Sequence, residues 1–158
     1  MKIICKDIKN NDHEVDLLKL KFRPSVYGIL IEGNKILLSK QWDGYDFPGG
    51  GMDVDETIEE TLKREFFEET GIKVMPGKLI TVRQNFFKPP FDKGYWNSIM
   101  MYYVVKKIGG EISTDNFDKH EKEYVEMPEW IDIIKTSDIK FYNTEDSVKI
   151  IMEAKKYI

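Results

Sequence analysis

A chain of 158 residues and 18.6 kDa, 41% hydrophobic and 13% aromatic, is large enough for one domain with a real core. Its 33% charged residues form no block that would suggest a disordered tail. A net charge of −4 and a pI near 5.3 exclude a nonspecific grip on a nucleic-acid backbone, and a single cysteine, Cys5, excludes an intrachain disulfide and a Cys/His zinc site.

The N-terminal run "MKIICKDIKNNDHEVDL" has an apolar stretch too short for a signal peptide and no small-residue cleavage pattern. No segment is long and apolar enough to span a bilayer. The expectation is a cytoplasmic protein without a membrane partner, one domain over 1–158, with residues 1–22 as an extension or a strand. The residues before Arg23 are open to two uses, a dimer contact (hence a homodimer) or a substrate lid.

Residues 23–41, "RPSVYGILIEGNKILLSKQ", predict two strands in a hairpin about Glu32-Gly33-Asn34. Beyond the glycine-rich segment, "KLITVRQNFF" (78–87) and "WNSIMMYYVVKKI" (96–108) predict two more strands joined by the loop "KPPFDKGY". A shorter strand is expected at 124–125 or 130–133. The closing "TEDSVKIIMEAKKYI" predicts an amphipathic helix, with Val148, Ile151, Met152 and Tyr157 or Ile158 at helical spacing. Strand, strand, helix, strand, strand, short strand, helix is the order of an α/β fold, a mixed sheet with helices packed on its faces.

The chemistry concentrates in residues 46–72, "DFPGGGMDVDETIEETLKREFFEETGI". Thr57 and Glu60 have capping-box spacing, so a helix should start at Ile58 and stop at Gly71, with Pro76 beyond. Ile58, Leu62 and Phe66 form the expected core-facing stripe. At about 100° per residue, Glu65, Glu68 and Glu69 project to one side. Like charges at these spacings cost about 0.2–0.5 kcal/mol a pair, and each carboxylate at the negative end of the helix dipole costs about 0.3–1 kcal/mol more.

A well-capped helix that breaks a local rule marks a functional site, and a hard divalent cation held by oxygen ligands removes the penalty. Mg²⁺, with Mn²⁺ as substitute, suits such ligands better than zinc. Gly49-Gly50-Gly51 lets backbone approach a ligand or metal. A lone ExxEE is usually a solvated face and a lone GGG usually a turn; the combination points to phosphate chemistry.

From Gly50 to Ile72 the stretch resembles the Nudix box, G-x5-E-x7-R-E-U-x-E-E-x-G-U with U bulky and apolar. Gly50, Glu56, Arg64, Glu65, Phe66, Glu68, Glu69, Gly71 and Ile72 meet its fixed positions, with Phe66 standing where Leu or Ile is more usual. The resemblance implies an α/β/α sandwich with a mixed central sheet and hydrolysis, with Mg²⁺ or Mn²⁺, of a nucleoside diphosphate linked to another moiety. Glu65, Glu68 and Glu69 would be metal ligands, joined by the Gly49 carbonyl, and water the nucleophile, activated by a glutamate base. Arg64 would orient Glu65, and Glu56 would support the metal site or pair with Arg64.

The family often takes one more carboxylate from a later loop, and "FDKHEKEYVEMPEW" offers Glu121, Glu123 and Glu126, the first two favoured. Neither His13 nor His120 is given a role. Phe86, Phe87, Phe91, Tyr95 and Trp96 could stack on a base, although most fit strand-end core positions as well. Arg23, Arg83, Lys88 and Lys93 are candidate phosphate contacts. The partner implied is a small nucleotide-type diphosphate, with capped RNA inside the family's range. Two readings compete: a catalytically silent nucleotide-binding module, disfavoured by the intact box, and an isoprenoid diphosphate isomerase, which needs a catalytic cysteine that Cys5, outside any motif, does not supply.

Overall fold

The computed structural model describes every residue except 91, 118, 120, 121, 123, 124 and 144. The chain opens with an antiparallel hairpin, β1 (Lys2–Lys6) and β2 (Asp12–Asp16), and a 3-10 turn leads into β3 (Leu20–Ile29). β4 (Ile31–Glu32) and β5 (Lys35–Gln41) follow, then the short β6 (Gly44–Asp46) and β7 (Gly49–Gly51). After α1 (Ile58–Thr70) come two 16-residue strands, β8 (Ile72–Phe87) and β9 (Tyr95–Gly110), then β10 (Val125–Asp132) and α2 (Ser147–Ala154).

One sheet has the order β2-β1-β8-β9-β3-β7 and is mixed, with β1/β8 and β9/β3 parallel and the other pairs antiparallel. A second has the order β10-β5-β4, and β6 pairs with β5. Strand residues alternate between two apolar clusters, as a period-2 backbone requires. Val26, Leu30, Leu37 and Val105 join Leu62 and Phe66 of α1, whereas Ile29, Ile31, Ile36, Leu38 and Val104 join Ile150, Ile151 and Ala154 of α2. One helix on each side of the sheets is the α/β/α sandwich expected from the sequence.

Several expectations need correction. The predicted hairpin of residues 23–41 is split between sheets: β3 pairs with β7 and β9, and only β4 and β5 form the hairpin, with Ile31 opposite Ile36. The reason is tertiary: Ile29 and Leu30 are buried in different clusters, so the chain changes sheets where both faces are covered. β8 starts directly after Gly71 and runs through Pro76, which falls at a register shift between Pro76 and Leu79, where a bulge accommodates the missing N–H. β10 is longer than foreseen and pairs with β5; Tyr124 lies outside the described residues.

α1 starts and stops where its caps predict. Thr57 and Glu60 complete a capping box, and Gly71 closes the helix in the left-handed region at φ 74°. The buried stripe differs, because Leu62 and Phe66 are fully covered while Ile58 is exposed. α2 is capped by Asp146, whose side chain accepts from the Lys149 amide at 3.0 Å. It buries Ser147, Ile150, Ile151 and Ala154, an i, i+3, i+4, i+7 face that leaves Met152 half exposed, contrary to expectation. The N-terminal segment is strand rather than loose extension, and Cys5 is fully buried, consistent with an unreactive thiol.

Candidate active site

α1 presents its acidic face toward β7, and glycine is what lets the two meet. A Cβ on Gly50 would lie 2.5 Å from the Glu65 carboxyl. At Gly49, φ is 151° and a Cβ would lie 2.1 Å from the Val26 carbonyl oxygen across the strand pair. Both positions therefore require the smallest residue.

Arg64 organises the helix face. Its Nε and Nη2 donate to the two oxygens of Glu56 at 2.5 and 2.7 Å, a two-pronged grip that suits a planar guanidinium. Its Nη1 donates to Glu65 at 2.8 Å and Glu68 at 3.3 Å, and Nη2 also reaches the Gly51 carbonyl at 3.2 Å. Glu56 further accepts from the Asp53 amide at 3.1 Å and the Thr61 hydroxyl at 2.9 Å. The Arg64 hydrogen bonds lead in pulling the Glu56 carboxyl down to about 2, and the Arg64 guanidinium is pushed further up, chiefly by Glu56. Glu56 is thus tied to Arg64 through both of its oxygens.

Glu69 faces elsewhere. It is 6% exposed, and one of its oxygens accepts from the Ser39 hydroxyl of β5 at 2.6 Å and from the Gly49 amide at 3.3 Å. The three glutamates expected on one side are therefore held in two settings, two of them at Arg64 and one against the sheet. Ser39 carries no signal in the sequence, because its role comes from β5 lying beneath the helix end.

Among the described residues no group of three or more His, Cys, Asp and Glu side chains forms a finished metal cage. The donor set nonetheless fits a hard divalent ion. Glu65 and Glu68 share one guanidinium with Glu56, an excess of negative charge that a cation offsets, Glu69 accepts from the adjoining Gly49 amide, and the bare Gly50 backbone leaves a cradle for the Glu65 carboxyl that any side chain would fill.

Beside this face lies a cleft of ≈ 200 Å³ whose walls include Gly49, Gly50 and Glu69. Arg23 lies over the Trp96 ring at 4.3 Å and donates to Ser25 at 2.7 Å, and Phe87 stands 6.2 Å from Trp96. Trp42, with φ 44°, meets Tyr142 edge-on at 5.2 Å. Asp46 accepts from the Asn143 side chain at 3.0 Å and the Phe47 amide at 2.8 Å, and burial pushes its carboxyl up to about 6.

Of the residues proposed for base and phosphate contacts, Phe87, Trp96 and Arg23 line the cleft, while Phe86, Tyr95, Arg83, Lys88 and Lys93 do not. Arg83 instead approaches Glu145 at 3.5 Å. Glu126 is exposed and pairs with Lys40 at 3.4 Å. Glu121 and Glu123, like His120 and Phe91, lie outside the described residues. Trp42, Asp46 and Asn143 were missed by sequence reasoning; only Asp46, the first residue of the 46–72 stretch, stood beside a local signal.

Comparison with known proteins bears on the family and the fold. The NUDIX domain family model matches residues 21–150. Over 127 residues the chain is 32% identical to an ADP-ribose pyrophosphatase of Methanocaldococcus jannaschii, covering 77% of this chain and 72% of that protein. It is 31% identical over 124 residues to the human nucleoside diphosphate-linked moiety X motif 6, covering 78% of this chain and only 37% of that one. A crystal structure of an ADP-ribose pyrophosphatase from Streptococcus suis superposes with a TM-score of 0.65 at 16% identity, covering 85% of this chain and 90% of that one, which speaks for the fold. A complete box, the sandwich that carries it and a domain match over most of the length lead to one conclusion: the chain belongs to the Nudix family, hydrolases that act on pyrophosphate bonds.

Proposed function

We propose that this protein hydrolyses the diphosphate linkage of a nucleoside diphosphate joined to another moiety, using a divalent cation, Mg²⁺ or Mn²⁺, and water as the nucleophile. The observation that carries the reading is the Arg64-centred carboxylate face lying beside an aromatic cleft with shared walls at Gly49 and Gly50. A charged diphosphate suits the first and a flat base the second.

Glu65, Glu68 and Glu69, with the Gly49 carbonyl, would hold the ion. Bound there, it supplies neutralisation of charge on the diphosphate and a lower pKa for the attacking water. Arg64 keeps the Glu65 carboxylate aimed, and Glu56 keeps Arg64 in place through both of its oxygens. Ser39 and the Gly49 amide fix Glu69. Glu68, its side chain 34% exposed, is the member of this face most open to water and the one we assign to take its proton. Arg23 offers positive charge to a phosphate at the cleft wall, and Trp96 and Phe87 a stacking surface. On this reading the whole chain forms one catalytic domain, since β1 pairs with β8.

The likeness to ADP-ribose pyrophosphatases puts ADP-ribose first in a panel with nucleotide sugars, nucleoside triphosphates, dinucleoside polyphosphates and capped RNA. Release of mononucleotide and of its phosphorylated co-product, a sugar phosphate, pyrophosphate or second nucleotide, is measured with Mg²⁺, with Mn²⁺ and with chelator. Cleavage of one class that chelator abolishes is the expected result. Silence across the panel, with ligands still raising the Tm, would replace the hydrolase by a binding module.

A further inference from the structure

The family match begins at residue 21, yet the cleft has a wall contributed from before it. Ile8, at the tip of the β1–β2 hairpin, lines the cleft together with Phe87, Pro89 and Pro90. It is 39% exposed, an apolar side chain left facing water at a turn, where a polar residue would cost nothing.

The turn beneath it is built to stay in one conformation. The Asp7 carboxylate accepts from the Lys9 and Asn11 amides at 2.9 Å each, from the Asn11 side chain at 3.1 Å, and pairs with His13 at 2.8 Å. The Asn10 amide donates to the Asp7 carbonyl at 2.9 Å, and Asn10 takes φ 64°, a left-handed geometry that asparagine tolerates. Cross-strand pairs Lys2–Glu14 and Lys6–Asp12 add to the hairpin, and Cys5 and Val15 bury its inner face.

The hairpin is also joined to the cleft by backbone. Lys6 pairs with Phe87, and the Lys88 amide donates to the Lys6 carbonyl at 2.9 Å, so the strand that ends one residue before the turn is bonded to the strand that supplies a cleft aromatic. Ile8, Phe87, Pro89 and Pro90 offer no charge to a diphosphate and present apolar surface to a flat ring.

We propose that the β1–β2 hairpin is a substrate-specificity element, whose Ile8 packs against the nucleobase of the bound substrate and whose Asp7 positions it. This inference rests on the diphosphate hydrolase reading and extends it to a segment outside the family's core. Of the two uses open to the N-terminal residues, it selects the one at the substrate.

The test uses the full-length protein and the best substrate from the panel. Ile8→Ala should raise KM about three- to tenfold with kcat and Tm unchanged, because it removes apolar contact made equally in ground and transition states. Ile8→Leu should restore KM, and Asp7→Ala should raise KM in the same direction by releasing the turn. An unchanged KM in Ile8→Ala, or a loss confined to kcat, overturns the proposal. An inactive wild type across the whole panel would instead defeat the hydrolase reading, so the two failures are told apart.

Discussion

The carboxylate face of α1 and the cleft beside it are built in opposite ways. Every side chain gripped by Arg64 lies within twelve residues of it, on one helix or the loop that caps it. The cleft draws on the N-terminal hairpin, β3, the β5–β6 turn, β8, β9 and the segment before α2. A helix with good caps can set up a charge cluster by spacing alone. A recognition surface needs the whole sheet to bring distant side chains together, and this is where one family member can differ from another without touching the chemistry.

If the division of labour holds, damage to the first region should reach the rate and damage to the second the affinity. The largest effect is expected from Glu65→Gln or Glu68→Gln, each lowering kcat by about 10²–10⁴-fold with the fold retained. Circular dichroism and kcat on the same preparation check this; full activity in both variants would remove the site assignment. Trp96→Ala should act mainly on KM, raising it about tenfold through lost stacking and loss of the Arg23 platform. A kcat loss with unchanged KM would put Trp96 in the reacting region and erase the contrast.

The smallest and most diagnostic effect is on stability against pH, where the two regions have opposite signs. Glu56 is held near 2, below its ordinary 4.5, so its contribution is present above pH 4.5 and is lost as pH falls toward 2. Asp46 is raised from 3.8 to about 6, so its contribution is complete below pH 3.8 and is lost as pH rises through 6. Asp46→Asn should therefore flatten the stability profile between pH 4 and 6, gaining on the order of 1 kcal/mol at pH 7 relative to wild type. Glu56→Gln should flatten it below pH 4.5 instead. Thermal melts across that range, without substrate, separate the two, and parallel profiles for wild type and Asp46→Asn would mean that Asp46 is not strained by burial.

Legibility followed the same line. The capping box of Thr57 and Glu60, the stop at Gly71 and the acidic face were readable because each depends on neighbours within one or two turns. The mixed sheet with helices on its faces was readable from element order, and the sandwich from the family resemblance. What failed was register and partnership: strand β3 leaves its sequence neighbour for β9, β8 passes through Pro76 by a bulge, and Met152 lies off the buried face of α2. Ile58 fitted the helical stripe and is exposed, whereas Leu62 and Phe66, one and two turns further on, are fully buried.

The sequence by itself determined the family, and spacing on a capped helix nominated the carboxylates for the chemistry. It also placed Gly49, Gly50 and Gly51 where backbone can approach a ligand. Only the tertiary structure decided that Glu69 turns to Ser39 while Glu65 and Glu68 turn to Arg64, and that Ile8, Trp42, Asp46 and Asn143 share one cleft. The physical reason is range: helix capping and side-chain spacing act over a few residues, whereas burial and sheet pairing act between segments that meet only once the core has formed.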